Sequence, residues 1–486
     1  MSVTAASTVV RYVTGARTIA RNALVVSAAQ VLGKLASLGF YVAMARVLGE
    51  QGFGAYTFAL ALAQVTTIFA SFGIDEWTGK TVARDPQAAP RLITDGLLVK
   101  AVVGVAGCVA AVLFTRIGGY SASVQAAVAL LALGTLAELF MNTFNATFQG
   151  LDDLRWPAAA AMIERAAIGI FGIVALLAGA GIVVVAAIYL ACALAAAALV
   201  AARLAAVGVR PERSPSAARS FALVKMTFTI GLTILLNTAL FRIDTVLLSV
   251  IKDNAAVGFY GAAYRLLESP LFVAYALTGA LLPSLSRASR TSSPPVGEYV
   301  TTGLKLILCL MAPLGTAYAL LAEPLVDLVY GSDYAPAIPA VRLLGGAAAL
   351  YGVGYFASLV LIAQGRQRIL PVVVAGVLAF NVVANLILIP SLSFRGAALV
   401  TSLSELLLAA AFLVYVVRVV GRLPAGRILS GPLAGCAAIA LVVLLIGPTV
   451  AALIVAPVVY VAVLVAVERW RYPEDARRVW ATLRRS

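Results

Sequence analysis

The sequence predicts an all-α polytopic membrane protein, and three observations carry that prediction. Hydrophobic residues make up 62% of the 486 and charged residues only 12%, against about 25% charged in a soluble domain. Apolar stretches of about 20 residues, enough to cross roughly 30 Å of hydrocarbon at 1.5 Å per residue, recur about fourteen times. Basic residues are also distributed unevenly between the connecting segments. With the N-terminus taken as cytoplasmic, 25 of the 36 Lys and Arg fall on that side and only Arg46, Arg116, Lys252, Arg342 and Arg395 on the other. By the positive-inside rule both termini are expected in the cytoplasm. The net charge of +15 therefore reads as topology and attraction to anionic headgroups, and no nucleic-acid partner is expected.

The spans are placed near 22–46, 54–74, 92–115, 124–148, 157–179, 182–205, 222–250, 257–282, 299–321, 340–363, 369–390, 397–418, 428–446 and 449–467. The polar, basic first twenty residues lack a cleavable signal pattern, so the first span is expected to act as the insertion signal. Four cysteines fall inside spans, where free cysteine behaves as a small hydrophobe, and no disulfide is expected. With no histidine in the chain, a His-centred metal site or proton relay is excluded, and no cofactor is expected.

In order along the chain, span 1 carries Ser27, Gln30, Lys34, Ser37 and Tyr41 at helical spacing, which lines one face with polar groups. A glycine-rich turn at Gly49, Gly52 and Gly54 leads to span 2, with Thr57, Gln64 and Ser71 at intervals of seven. Span 4 repeats the pattern with Thr135, Glu138, Asn142, Asn145 and Gln149. In span 5 the adjacent Glu164 and Arg165 point about 100° apart, so each is expected to pair with another helix in a structural role. Spans 5 and 6 otherwise offer little chemistry. Residues 208–220 are polar, basic and broken by two prolines, the composition of a linker. Span 7 carries Thr229, Thr233, Asn237 and Asp244.

From span 7 the chain repeats its own plan. FQGLDDLRWP at 148–157 is matched by AQGRQRILP at 363–371, and Gly181 by Gly396, at offsets of 214 to 215 residues. An even number of spans per copy relates the copies by a pseudo-two-fold axis along the membrane normal. The expected organisation is a cytoplasmic tail (1–20), an N-lobe of six spans (21–207), a linker (208–220), a C-lobe of six spans (221–420) and two extra helices with a basic tail (421–486). Pro270 and Pro313 are candidate kinks, while Pro457 is expected to be an ordinary membrane-helix proline. The longest external loop is expected near 322–339, with Glu323, Asp327 and Asp333.

Charges inside spans carry the functional inference, because each costs roughly 2.5–3.5 kcal/mol in hydrocarbon unless it meets protein or water. Lys34 and Arg265 both sit roughly 12–15 Å deep by helical rise. Glu268 follows Arg265 at pairing distance, and Arg242 and Asp244 lie nearer the external end of span 7. Cations at this depth suit an anionic ligand such as a phosphate. Asp244 and Glu268 are the candidates for a coupling ion, H+ or Na+.

The motifs ARVLGEQGFGAY (45–56), FGI (72–74), FRIDTVLLS (241–249) and AVGFYGAAYRLLE (256–268), with the Gln-Gly turns at 149–150 and 364–365, resemble polysaccharide flippases of the multidrug/oligosaccharidyl-lipid/polysaccharide (MOP) exporter superfamily. The resemblance implies two six-helix lobes and alternating access around a central cavity. It implies transport, without enzymatic chemistry, of a polyprenyl-pyrophosphate-linked oligosaccharide to the outer leaflet of the bacterial cytoplasmic membrane. Lys34 and Arg265 match the cavity cations of such flippases, and Arg46 and Arg242 match basic positions near the cavity mouth. Gln30, Gln64, Asn237 and Glu138 complete the expected lining. Related lipid II flippases cluster several arginines on span 1 and the helix after it, where only Lys34 and Arg46 stand here, which argues against lipid II. The glycan, membrane lipids and a polysaccharide polymerase or glycosyltransferase machinery are the expected partners. A cation-coupled multidrug exporter of the same fold, with a more acidic, aromatic-lined site, and a membrane glycan polymerase or ligase are the alternatives.

Overall fold

A computed structural model describes residues 16–288 and 296–473. Among them every long element is a helix, and twelve stretches are long and apolar enough to cross a membrane. The protein is a polytopic membrane protein, and by its internal contacts it separates into two compact units, residues 1–258 and 259–486.

Unit 1 opens with α1 (Ala16–Thr67), which carries two of the expected spans and is kinked at Gly49. Gly49 adopts φ 64 and ψ −176, a conformation that glycine alone takes without strain. The expected three-glycine turn is therefore a single-residue kink. Gly52 and Gly54 continue the helix, and Gly54 serves close packing instead, because a Cβ there would overlap the Asn254 carbonyl. After Gly73, again left-handed at φ 68, comes a short helix absent from the sequence reading, α2 (Ile74–Arg84). It buries Ile74, Thr78 and Val82, one stripe at a spacing of four. Then follow α3 (Ala89–Ile117), α4 (Ala122–Gly150), α5 (Arg155–Leu177), α6 (Ile182–Ala206) and α7 (Ala217–Ile251). Ser121 and Ser216 cap α4 and α7 by accepting from Val124 N and Arg219 N. The segment before α7 is tied down: Arg219 bonds Asp95 at 2.9 Å and Glu212 at 3.1 Å.

The helix α8 (Asn254–Glu268) begins in unit 1 and continues into unit 2. It stops before Pro270, and α9 (Leu271–Ala288) resumes the span. Next come α10 (Val296–Tyr330), α11 (Ile338–Ala363), α12 (Ile369–Leu392), α13 (Phe394–Val420), α14 (Ala425–Ile446) and α15 (Val450–Arg471). Two expectations are corrected here. Residues 322–330 are the end of α10, and Ser332–Ala337 forms a 3-10 turn, so the long external loop is largely helical. Of the two candidate kinks only Pro270 falls at a helix break; Pro313 lies inside α10, and Pro457 lies inside α15. The other break in unit 2 is at Leu321, three residues before Pro324, whose ring and missing N–H disrupt the preceding turn.

Candidate functional site

Among the described residues of unit 1, two groups of ionisable side chains stand out. The first is built around Lys100 of α3, whose side chain has no exposed surface. Its ammonium donates to Asp75 Oδ1 (2.6 Å) and Oδ2 (2.8 Å), to the Leu139 carbonyl (2.6 Å) and to Thr143 Oγ1 (2.8 Å). Thr143 in turn donates to Asp75 at 3.1 Å. An ammonium has three donors and no acceptor, so this shell satisfies it without a ligand. The signal missed in the sequence was α2 itself: without that helix nothing brings Asp75 beside α3.

The second place joins α1, α4, α5 and α6. Glu138 accepts a hydrogen bond from the Tyr189 hydroxyl at 2.6 Å. Glu138 and Glu164 lie within electrostatic reach of each other, and Arg165 is close to both. The Arg165 side chain runs against Gly33, where a Cβ would stand 3.0 Å from its Cδ. Glu164 and Arg165 thus join a polar cluster that includes the predicted residue Glu138, beyond the purely structural pairing expected of them. Tyr189, the only phenol in the Ala- and Val-rich α6, is the group that the sequence reading passed over.

The remaining predicted residues of unit 1 are more scattered. Gln30 and Lys34 lie on α1, with side chains outside the described residues. Arg46 is exposed, three residues before the Gly49 kink. Gln64 is half-buried, and its buried Oε1 accepts no hydrogen bond among the described residues. Asn237 donates to the Thr233 carbonyl one turn back at 2.8 Å, a contact internal to α7. Arg242 is half-buried, and Asp244, 1% exposed, is part of the core.

In unit 2 the expected pair forms: Arg265 Nη1 bonds Glu268 Oε2 at 2.9 Å, and the two side chains remain 15% and 18% exposed. Both lie in the last turn of α8, just before the break at Pro270, and the break is chemically repaired. Proline has no N–H to give the Leu266 carbonyl four residues back, and the Tyr318 hydroxyl donates to that carbonyl at 2.6 Å. Tyr330 likewise donates to the Ala262 carbonyl at 3.0 Å, and Ser269 Oγ to the Arg265 carbonyl at 2.7 Å. Beyond the break Tyr275 hydrogen-bonds Tyr351, and its ring meets that of Tyr355 edge-on at 4.6 Å. Glu268 and Glu405 are the carboxylates near this tyrosine group. None of the tyrosines was singled out from sequence, because in an apolar helix an aromatic residue reads as core.

Comparison with curated proteins gives no match. Among solved structures, the lipid II flippase MurJ in an inward closed conformation is similar over 92% of this chain and 99% of its own, with TM-score 0.75 and 15% identity. A mutant of the Vibrio cholerae MATE transporter VcmN is similar over 83% of this chain and 98% of its own, with TM-score 0.60 and 14% identity. A MOP superfamily transporter from Pyrococcus furiosus, described as having a binding pocket of reverse polarity, matches over 81% of this chain and 94% of its own, with TM-score 0.58 and 17% identity. At these identities the likeness is one of fold, and the fold is that of MOP superfamily transporters. By sequence, residues 19–289 match the family described as "Polysaccharide biosynthesis protein". More than half of the chain lies within that match, and the chain belongs to this family.

Proposed function

We propose that the protein is a flippase that moves a polyprenyl-pyrophosphate-linked oligosaccharide from the cytoplasmic to the outer leaflet of a bacterial cytoplasmic membrane by alternating access. The observation that carries the reading is Arg265: a guanidinium in the apolar stretch expected from sequence to form span 8, paired with Glu268 at 2.9 Å yet still 15% exposed. Such a pair is poised for exchange, since pyrophosphate oxygens offer a guanidinium bidentate, charge-assisted hydrogen bonds of the kind Glu268 now supplies. Lys34 is the second proposed headgroup cation. Family membership supports a role in polysaccharide assembly, and the transporter fold supports translocation over catalysis.

The test is the leaflet distribution of lipid-linked glycan in cells lacking the protein, complemented with wild type or with Lys34→Ala/Arg265→Ala. The expected result is cytoplasmic-face accumulation relieved by wild type and unrelieved by a double variant that still inserts. A double variant that restores the wild-type distribution sinks the assignment of these two cations. One observation favours a second reading: Tyr275, Tyr351 and Tyr355 with Glu268 and Glu405 form an aromatic, acidic group suited to a cationic amphiphile. A normal glycan distribution in cells without the protein turns the assignment to that exporter.

A further inference from the structure

The headgroup reading makes no use of Arg203, an exposed cation in the last turn of α6. Its guanidinium lies over the Trp156 ring, 4.0 Å from the centroid. Trp156 is the second residue of α5 and packs against the core cluster that contains Phe148, Val200 and Leu204. The ring therefore holds the guanidinium by its face, a stacking that leaves the N–H edges of an arginine open to hydrogen bonds. Among the described residues no carboxylate lies within ion-pair distance of Arg203, and Asp153, three residues before Trp156, is engaged by Arg155 at 3.0 and 3.1 Å. Arg203 and Trp156 stand at the ends of two stretches long and apolar enough to cross a membrane, Ile182–Ala206 and Arg155–Leu177. Arginine and tryptophan at such an end belong to the headgroup zone. Ile163, Ile170 and Leu177 follow Trp156 at intervals of seven, on one face of α5, and all three are exposed.

We propose that Trp156 and Arg203 form a binding site for an anionic phospholipid of the bilayer, whose phosphate accepts hydrogen bonds from the Arg203 guanidinium while an acyl chain lies along α5. Ile163 stands roughly 10 Å along the helix from Trp156 and Ile170 roughly 20 Å, which brackets the roughly 15 Å depth of one leaflet's hydrocarbon. Cation and apolar stripe meet at Trp156, so a lipid uses both where a free phosphate would use only the first. A zwitterionic lipid brings its own cation to compete with Arg203, and the site therefore selects for net negative charge. It stands whether or not the transported substrate is a glycan lipid.

Quenching of Trp156 by brominated lipid tests the site without any transport measurement. Trp77→Phe/Trp470→Phe/Trp480→Phe leaves Trp156 as the one indole of the full-length chain. This parent is reconstituted in phosphatidylcholine vesicles in which either phosphatidylglycerol or phosphatidylcholine carries bromine on its acyl chains, at equal mole fraction. Phosphatidylglycerol is expected to quench Trp156 with an association constant about fivefold that of phosphatidylcholine, the worth of one basic side chain near an anionic surface. Arg203→Gln is expected to bring that ratio to one, whereas Arg210→Gln, which removes an exposed charge from the segment after α6, leaves it in place. A ratio of one in the parent, or a ratio unchanged in Arg203→Gln, overturns the proposal. So does an equal fall in Arg210→Gln, since the attraction is then diffuse. Native mass spectrometry of wild type and Arg203→Gln in mixed phosphatidylglycerol and phosphatidylcholine serves if the triple variant does not fold: phosphatidylglycerol retained by wild type and lost from Arg203→Gln supports the site, and equal retention by both overturns it.

Discussion

At the scale of single residues, Lys100 shows what membrane burial demands of a charge. Its ammonium meets a carboxylate, a carbonyl and a hydroxyl, all within 2.8 Å. Breaking a buried pair by removing one partner typically costs 3–5 kcal/mol, because the other charge is stranded. Lys100→Met is therefore expected to destabilise the detergent-solubilised protein by about 3–5 kcal/mol, read from its unfolding midpoint. Lys100→Met/Asp75→Asn, which strands no charge, is expected to recover most of the loss. Equal losses in single and double variants would mean that the pair adds nothing beyond packing. Glu138, Glu164 and Arg265 were legible in the sequence because a charge in an apolar run is an anomaly of composition. Their partners were legible only where they share a helix, as Glu268 does with Arg265. Asp75 and Tyr189 reach their partners through tertiary packing, which no helical spacing encodes.

At the scale of elements, the spans were legible because hydropathy fixes them, while their breaks follow backbone chemistry that hydropathy does not register. Pro270 divides α8 from α9, and its effect is local because Tyr318 of α10 supplies the donor that proline lacks. Leaving a buried carbonyl unsatisfied costs about 1–3 kcal/mol, so Tyr318→Phe is expected to destabilise the protein by that amount. Pro270→Ala restores an N–H to the Leu266 carbonyl. The loss from Tyr318→Phe is therefore expected to shrink to a few tenths of a kcal/mol in a Pro270→Ala background, within the scatter of independent sites. Thermal unfolding of the four-member cycle reads this, and an undiminished loss would show that Tyr318 acts through packing alone. The same economy holds α15, one of the two helices outside the duplicated lobes. Its Glu468 forms an ion pair with Lys305 of α10, and the Lys305 ammonium also stands 4.5 Å from the Tyr472 ring centroid.

At the scale of the whole molecule, the internal duplication and the charge asymmetry are properties of sequence, and they lead to an orientation that helix geometry by itself does not encode. A helix crosses a bilayer equally well in either sense. What distinguishes the senses is the cost of moving Lys and Arg across during insertion. With the N-terminus taken as cytoplasmic, 25 of the 36 basic residues fall on that side and five on the other, so the 208–220 segment is expected in the cytoplasm and the turn between α3 and α4 outside. All four cysteines are free, so they can be replaced and single reporters introduced. Ser214 and Ser123 are both exposed, at the two ends of unit 1 where the prediction differs. In intact spheroplasts a membrane-impermeant maleimide is expected to label Ser123→Cys and to spare Ser214→Cys until the membrane is permeabilised. The reverse pattern would place the N-terminus outside and turn Arg46 and the α1 kink toward the cytoplasm. A flippase that collects its lipid-linked substrate from the cytoplasmic leaflet would then present the wrong end to it, so this labelling tests the proposed direction of transport as well as the topology.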